Sequence, residues 1–266
     1  MKKNKYSAAI NYLLFYRNRL KELALSSFKW VNTPKTIDTR FLEMTLYNNG
    51  NAVFFYDDVL GYLALPCAMN TGFNIYGIPT NRQAYAVNGY NKKLDQNDSV
   101  LIFNNLMHTN TVMDIENYAR KLAAIDATID INLNAQKTPI LIICDESEQL
   151  TLENLYLQYT GNSPVIKGTK GLKQDCFTVL KTDAPYLLDK LRAEKTQLWN
   201  EVLTYLGISN ISINKKERLI VDEVMRDSGG TIASRQSRLE ARKQACQEIN
   251  AMFNLNIDVQ YLEDNM

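Results

Sequence analysis

The stretch Lys181–Gly207, KTDAPYLLDKLRAEKTQLWNEVLTYLG, reads as one capped amphipathic helix. Asp183 is suited to accept hydrogen bonds from the first free N–H groups, and Pro185 falls in the first turn, where its missing donor is harmless. Gly207 follows the last periodic residue, where a left-handed terminating residue is wanted. Leu188, Leu191, Leu198, Val202 and Tyr205 share one face at three- and four-residue steps. Lys190, Glu194, Gln197, Glu201 and Thr204 share another. One stripe is built to be buried and one to be wet.

A second segment, Thr111–Asn134, matches it, with Ile115, Tyr118, Leu122, Ile125 and Ile129 on one stripe. Ala119, Ala123 and Ala127 lie beside that stripe and permit close helix approach. Neither helix has an obvious partner within the chain wide enough for both stripes. Between them lies an insert, Ala135–Leu180, that reads as a strand (TPILIIC), a helix from about Leu152 to Tyr159 and a hairpin turning at Gly168–Gly171. Upstream, Ser7–Phe28 reads as a helix, Pro34 forces extension, and Thr39–Tyr47 reads as a short helix ended by Asn48-Asn49-Gly50. From Asn51 to Phe103 the runs NAVFFYDD, LGYLALP, NRQAYAVN and DSVLIFNN are short strands punctuated by Gly72, Gly77, Pro79, Gly89 and the Asp95–Asp98 cluster. Downstream, NKKERLIVDEVMRDSGG begins helical and dissolves into SGGTIASRQS, the best candidate for a mobile loop. A helix starting at Ser234 or Ser237 runs to Phe253, and LNIDVQYL closes the chain as a strand.

The bulk properties narrow the function classes. With Lys+Arg 30 against Asp+Glu 29, the net charge of +1 excludes a strongly basic nucleic-acid wrapper. Any DNA contact has to come from local charge arrangement. Fifteen tyrosines suit interfaces as well as cores, which favours assembly. Cys67, Cys144, Cys176 and Cys246 are scattered without metal-ligand spacing and read as reduced, packed thiols. The basic start of the chain precedes no apolar run of signal length, and nothing approaches a membrane span.

Five ordered blocks then carry a resemblance: NAQKTPILI, LYLQYTGNSPVI, KTDAPYLLDKL, WNEVLTYLGI and NKKERLIVDEV. In this order and spacing the chain resembles the portal (upper collar, head–tail connector) proteins of short-tailed phages related to phi29. The resemblance is densest from Asn110 to Val224. FLEMTLYNNGNAVFFYDD and CQEINAMFNLNIDV extend it more weakly to either side.

The resemblance implies an α+β portal subunit with long stem helices, an α/β clip and a wing containing a small β-barrel or sheet. The stem would be 112–134 and 183–207, and the clip 135–182. The wing would be 1–111 and 208–266, with a channel loop at about 210–234. It implies a homo-oligomeric twelve-fold ring around double-stranded DNA at the portal vertex of the virion, assembled in the host cytoplasm. Implied partners are the major capsid and scaffolding proteins, the packaging ATPase with its RNA where one is used, and the lower collar or tail protein. No membrane and no cofactor are implied.

Family lysines of the lower stem line the bore, and the matching positions are Lys181 and Lys190. Lys215, Lys216 and Arg218 match the basic block where the channel loop begins. The basic terminus Lys2, Lys3 and Lys5 resembles the family's only in character and is shorter. Lys167, Lys170 and Lys173 at the hairpin tip are this chain's own feature, placed to meet motor, RNA or tail. An ordinary solvated face remains the alternative for each of these clusters.

No catalytic constellation emerges. There is no G-x-x-x-x-G-K-[ST] loop and no G-x-G-x-x-G, so ATP hydrolysis by this subunit is not expected. His108, the single histidine, sits in a polar turn and reads as a loop residue. Asp145-Glu146-Ser147-Glu148 and the Asp126/Asp130 pair are typical of solvated faces. Two other function classes stay open at this point: a different collar or adaptor ring of the tail, and an unrecognised soluble α+β enzyme.

Overall fold

The computed structural model describes residues 6–69, 72–136, 140–142, 177–179, 185–209 and 221–262. In chain order the elements are α1 (Tyr6–Leu25), β1 (Phe28–Val31), α2 (Thr39–Asn49), β2 (Asn51–Asp57), β3 (Gly61–Leu65), β4 (Cys67–Ala68), β5 (Asn81–Tyr85), β6 (Asn91–Asp95) and β7 (Ser99–Phe103). There follow α3 (Val112–Ala135), β8 (Ile140–Ile142), β9 (Phe177–Val179), α4 (Leu188–Leu206), α5 (Val221–Phe253) and β10 (Asp258–Tyr261). They divide into two compact units. One is Met1–Ile125 with Glu194–Met266, the other Asp126–Ala193.

In the larger unit, β2 explains why NAVFFYD is a continuous apolar run. Ala52 and Phe54 face one core, with Leu42, Leu46, Val100, Ile102 and Ile249. Val53 and Phe55 face another, with Cys67, Ala84, Leu94 and Leu101. A strand buried on both faces hides its period of two. The sheets are antiparallel, in the orders β3-β2-β7 and β4-β5-β6, and they share the second core. The β2 strand is launched by a tightly terminated α2. Asp38 Oδ1 accepts from the Phe41 N–H at 3.1 Å, and Gly50, at φ 82°, returns its N–H to the Leu46 carbonyl. A Cβ on Gly50 would lie 2.8 Å from the Thr109 carbonyl carbon, so only glycine fits there. A separate ribbon pairs β1 with β10, Phe28 opposite Tyr261, and so ties the two ends of this unit together.

The long helices do have a partner within the chain. Ile115, Ala119, Leu122 and Ala123 of α3 pack with Leu198, Val202 and Leu206 of α4 and with Tyr16 and Leu20 of α1. Polar groups close each junction. Glu116 meets Arg17 at 3.6 Å between α1 and α3. Between α3 and α4, Tyr118 donates to Glu201 at 3.1 Å and Tyr205 to Asp114 at 2.5 Å. Between α1 and α4, Arg19 lies 5.0 Å from the Trp199 ring and Lys195 5.6 Å from the Tyr16 ring. The expectation of two unpartnered stripes is therefore corrected. Ile115, Tyr118, Leu122 and Ile125 of one stripe and Leu198, Val202 and Tyr205 of the other are taken up in a three-helix core, so these residues do not themselves argue for assembly.

The Ser/Gly-rich stretch also departs from expectation. Helix α5 runs unbroken through Asp227-Ser228-Gly229-Gly230, where a mobile loop was expected to reach Ser234. Two helical glycines cost about 1 kcal/mol each relative to alanine. Packing offsets this: Thr231 is buried, and a Cβ on Gly230 would lie 3.3 Å from Thr204 Cγ2.

In the smaller unit, β8 and β9 pair antiparallel, Ile140 opposite Val179. The expected strand over 138–144 is thus seen over 140–142, while the expected helix at 152–159 and the turn at Gly168–Gly171 lie outside the described residues. Helix α4 begins at Leu188, not Asp183, because Asn132 of α3 holds the preceding segment non-helical. Its Nδ2 donates to the Pro185 carbonyl at 2.9 Å, and its Oδ1 accepts the Leu187 N–H at 3.2 Å. Leu187 already accepts from the Leu191 N–H, so the helix starts from a residue capped in trans.

Candidate functional site: an exposed helix face and an arginine node

Lys190 stands in the first turn of α4 and is exposed. Its register is fixed by the Asn132 clamp just upstream. The charged residues exposed along this helix are Asp189, Lys190, Arg192, Glu194 and Glu201. These five do not share one face: Glu194 and Glu201 lie at helical spacing from Lys190, whereas Arg192 lies about 200° round the helix from it. Asp189 suits the helix N-terminus, and Lys190 opposes the dipole by a few tenths of a kcal/mol. The other expected site residues, Lys181, Lys215, Lys216, Arg218, Lys2, Lys3, Lys5, Lys167, Lys170 and Lys173, lie outside the described residues.

Where a loose channel loop was expected to end, two arginines of α5 fasten the end of α4. Arg235 Nε donates to the Gly207 carbonyl at 3.0 Å, and its guanidinium covers the Tyr261 ring at 4.1 Å. Arg238 donates to the Tyr205 carbonyl at 2.7 Å and lies over the Tyr205 ring at 4.6 Å. Ser234 Oγ donates to the same carbonyl. These cations meet the carbonyl-rich C-terminus of α4, the end that attracts positive charge. Gly207, at φ 79°, permits the approach, since a Cβ there would sit 2.8 Å from Arg235 Cα. Burial is the first cause that lowers the Arg238 pKa below the usual arginine value. Burial likewise raises the Tyr205 phenol, reinforced by its bond to Asp114.

Arg242 completes the row. Its Nε and Nη2 engage Glu43 Oε1 and Oε2 at 2.9 and 2.8 Å, and Nη1 donates to the Asn104 carbonyl at 2.6 Å. Trp30 Nε1 donates to the same carboxylate at 2.8 Å. The two charged side chains are 2% and 5% exposed, so the pair is fully desolvated. Arg238 and Arg242 border a cavity of about 10 Å³, room for roughly one water. This node ties α2, α4, α5 and the β7–α3 loop together. Sequence reading missed it, although Arg235, Arg238 and Arg242 at helical spacing, and a lone Glu43 in an apolar helix, were its signals.

The remaining candidates are structural. His108 is an exposed turn residue stacked on Phe103 at 3.6 Å. Cys67 and Cys246 are buried free thiols, and burial pushes the Cys246 thiol up to about 12. Among the described residues there is no metal-ligating cluster, and no helix is long and apolar enough to cross a membrane.

All 266 residues match the family described as Phage Connector (GP10). The chain belongs to the phage connector family. This connector is accordingly a head–tail connector, or portal, protein. Solved structures share its α+β fold. A chain from the portal and tail of native bacteriophage P68 is similar at TM-score 0.55 and 19% identity, over 97% of this chain and 88% of that one. One from the neck of a native GTA particle, computed with C12 symmetry, is similar at 0.51 and 12%, over 100% and 85%. An HK97-family portal protein from Corynebacterium diphtheriae gives 0.47 and 11%, over 98% of both.

Proposed function

We propose that copies of this connector close head-to-tail into a twelve-fold ring around double-stranded DNA at the portal vertex. The ring conducts the genome during packaging and ejection, docking the packaging ATPase (with its RNA where one is used) and then the lower collar or tail. Capsid and scaffolding proteins surround it, and it assembles in the host cytoplasm before becoming part of the virion. The observation that carries this reading is the connector-family match over the whole chain. The C12 symmetry of the GTA neck supports the stoichiometry.

In this ring, residues 112–134 and 183–207 are the stem, 135–182 the clip, and 1–111 with 208–266 the wing. The compactness of Asp126–Ala193 as its own unit supports a separate clip. Lys181, Lys190, Lys215, Lys216 and Arg218 line the bore, while Lys2, Lys3, Lys5, Lys167, Lys170 and Lys173 face motor, RNA or tail. Duplex DNA carries about one charge per 1.7 Å of axis, and every phosphate neutralised adds salt-dependent grip. A conduit must attract without holding. Sparse ammonium groups set among carboxylates, as Lys190 is with Glu194 and Glu201 at helical spacing, meet this requirement. Replacing Lys181 and Lys190 together with alanine is expected to leave rings intact and alter DNA retention in filled heads. Unchanged retention contradicts the assignment.

A further inference from the structure

The sequence holds two Asn-Gly pairs, Asn49-Gly50 and Asn88-Gly89. An asparagine before glycine is chemically vulnerable, because no Cβ bars the glycine nitrogen from the asparagine side-chain carbonyl carbon. The fold gives the two pairs opposite surroundings. Asn49 is the last residue of α2, and Gly50 is buried. The Gly50 N–H donates to the Leu46 carbonyl at 2.9 Å, and the Gly50 carbonyl accepts the Asn104 N–H at 2.9 Å. A Cβ on Gly50 would meet the Thr109 and Asn110 backbone at 2.8 and 2.9 Å. This peptide is bonded at both ends and walled in beside them, so it has no room to turn.

Asn88 and Gly89 are both exposed at the tip of the β5–β6 hairpin, which the Ala86 N–H closes on the Tyr90 carbonyl at 2.9 Å. The Tyr90 N–H donates to Asn88 Oδ1 at 3.1 Å. That bond folds the side chain back over the Gly89 peptide and draws electron density from Cγ, the atom a nucleophile attacks. Gly89, at φ 87°, has a single backbone bond to give up, its N–H to the Ala86 carbonyl at 3.1 Å. A Cβ there would meet nothing within 4 Å, so the space around this peptide is open.

We propose that Asn88 is a site of spontaneous deamidation, its amide exchanged for a carboxylate, and that the fold protects Asn49. The Gly89 nitrogen bonds to Asn88 Cγ while its proton passes to solvent. The Cγ–Nδ2 bond breaks, and the amide nitrogen takes up a proton and leaves as ammonia. Water then opens the five-membered ring at either carbonyl. The product is aspartate, or its isomer in which the main chain runs through the side-chain carbonyl. Water is the only co-reactant. Ring closure is intramolecular, so proximity supplies the rate. Each event removes the chain's formal net charge of +1 and brings it to the neutrality at which proteins associate most readily. The isomer also lengthens the main chain inside a hairpin whose strands pair Tyr85 with Asn91.

The test incubates the purified full chain at mildly alkaline pH, once folded and once in denaturant. Tandem mass spectrometry of proteolytic peptides follows each asparagine, since every deamidation adds about 1 Da. In denaturant the two Asn-Gly pairs are expected to lose their amides at similar rates, because only the fold distinguishes them. In the folded chain Asn88 is expected to react at least tenfold faster than Asn49, a barrier difference of about 1.4 kcal/mol or more. As a second readout, isoelectric focusing of the aged folded chain is expected to show a more acidic form. Asn88→Gln, whose longer side chain closes the ring far more slowly, should abolish that form, and Asn49→Gln should leave it. Equal rates at Asn49 and Asn88 in the folded chain overturn the assignment. So does a faster reaction at another asparagine, an intact Asn88 when the denatured chain has reacted, or an acidic form that persists in Asn88→Gln.

Discussion

Glu43→Ala tests the claim that a buried ion pair fastens α5 to the rest of the larger unit. The substitution leaves the Arg242 guanidinium, 2% exposed, with carbonyl partners but no counter-charge. It also strips Trp30 Nε1 of the carboxylate that accepts it at 2.8 Å. Removing one member of a fully buried pair costs about 3–5 kcal/mol, because the partner's desolvation is no longer offset. The unit is close to 200 residues, for which each kcal/mol moves the melting temperature by about 2–4 °C. A fall of about 6–20 °C is therefore expected by calorimetry. The proteins are compared at one concentration because assembly is coupled to stability. The double variant Glu43→Leu/Arg242→Met should recover most of the loss, since apolar groups of similar volume replace buried pairs at little cost. A Glu43→Ala melting temperature within about 2 °C of the parent refutes the reasoning.

Other consequences follow from single positions. Gly229 lies in α5, and a Cβ added there would meet nothing within 4 Å, so Gly229→Ala should stabilise by about 0.5–1 kcal/mol in denaturant unfolding. No gain would favour a loop there. Asn132→Leu removes the acceptor of the Leu187 N–H, and exchange of that amide should quicken roughly fivefold or more, the factor for losing about 1 kcal/mol. Unchanged protection would mean that the clamp does not hold the start of α4. The Tyr90 hydroxyl, donating to Asp57 at 2.7 Å, is the first cause holding that carboxyl well below the usual carboxylate range, followed by the Val59 and Leu60 N–H groups. Its folded value lies under its unfolded value, so its contribution is complete above about pH 4 and is lost as pH falls through the folded value. Tyr90→Phe should move the Asp57 carboxyl titration upward by NMR. A curve that stays in place contradicts the assignment.

The elements legible in the sequence are those whose signal is local. The stripes of α3 and α4 are periodic over several turns, and Gly50 and Gly207 end helices with the left-handed backbone they permit. Strand β6, NKKLD, carries no apolar alternation to announce it, because it is mostly exposed and buries only Leu94. The course of α5 through Ser228-Gly229-Gly230 is hidden because propensity there disfavours helix, and contacts with the end of α4 override it. The Glu43–Arg242 pair spans 199 residues, so no periodicity could join its members. Of the candidate bore residues, the exposure of Lys190 follows directly from the α4 stripe. The exposed Phe73, Ile75 and Tyr76 escape notice in sequence because they look like ordinary strand-forming residues until the Asn74 turn places them outward.

The central claim is that this connector works as a closed ring on duplex DNA. Native mass spectrometry of the purified 30.5 kDa chain tests it most directly. Closure of twelve copies predicts a species near 370 kDa, roughly twelve times the chain mass. A single species at 30.5 kDa at every concentration tried would contradict it.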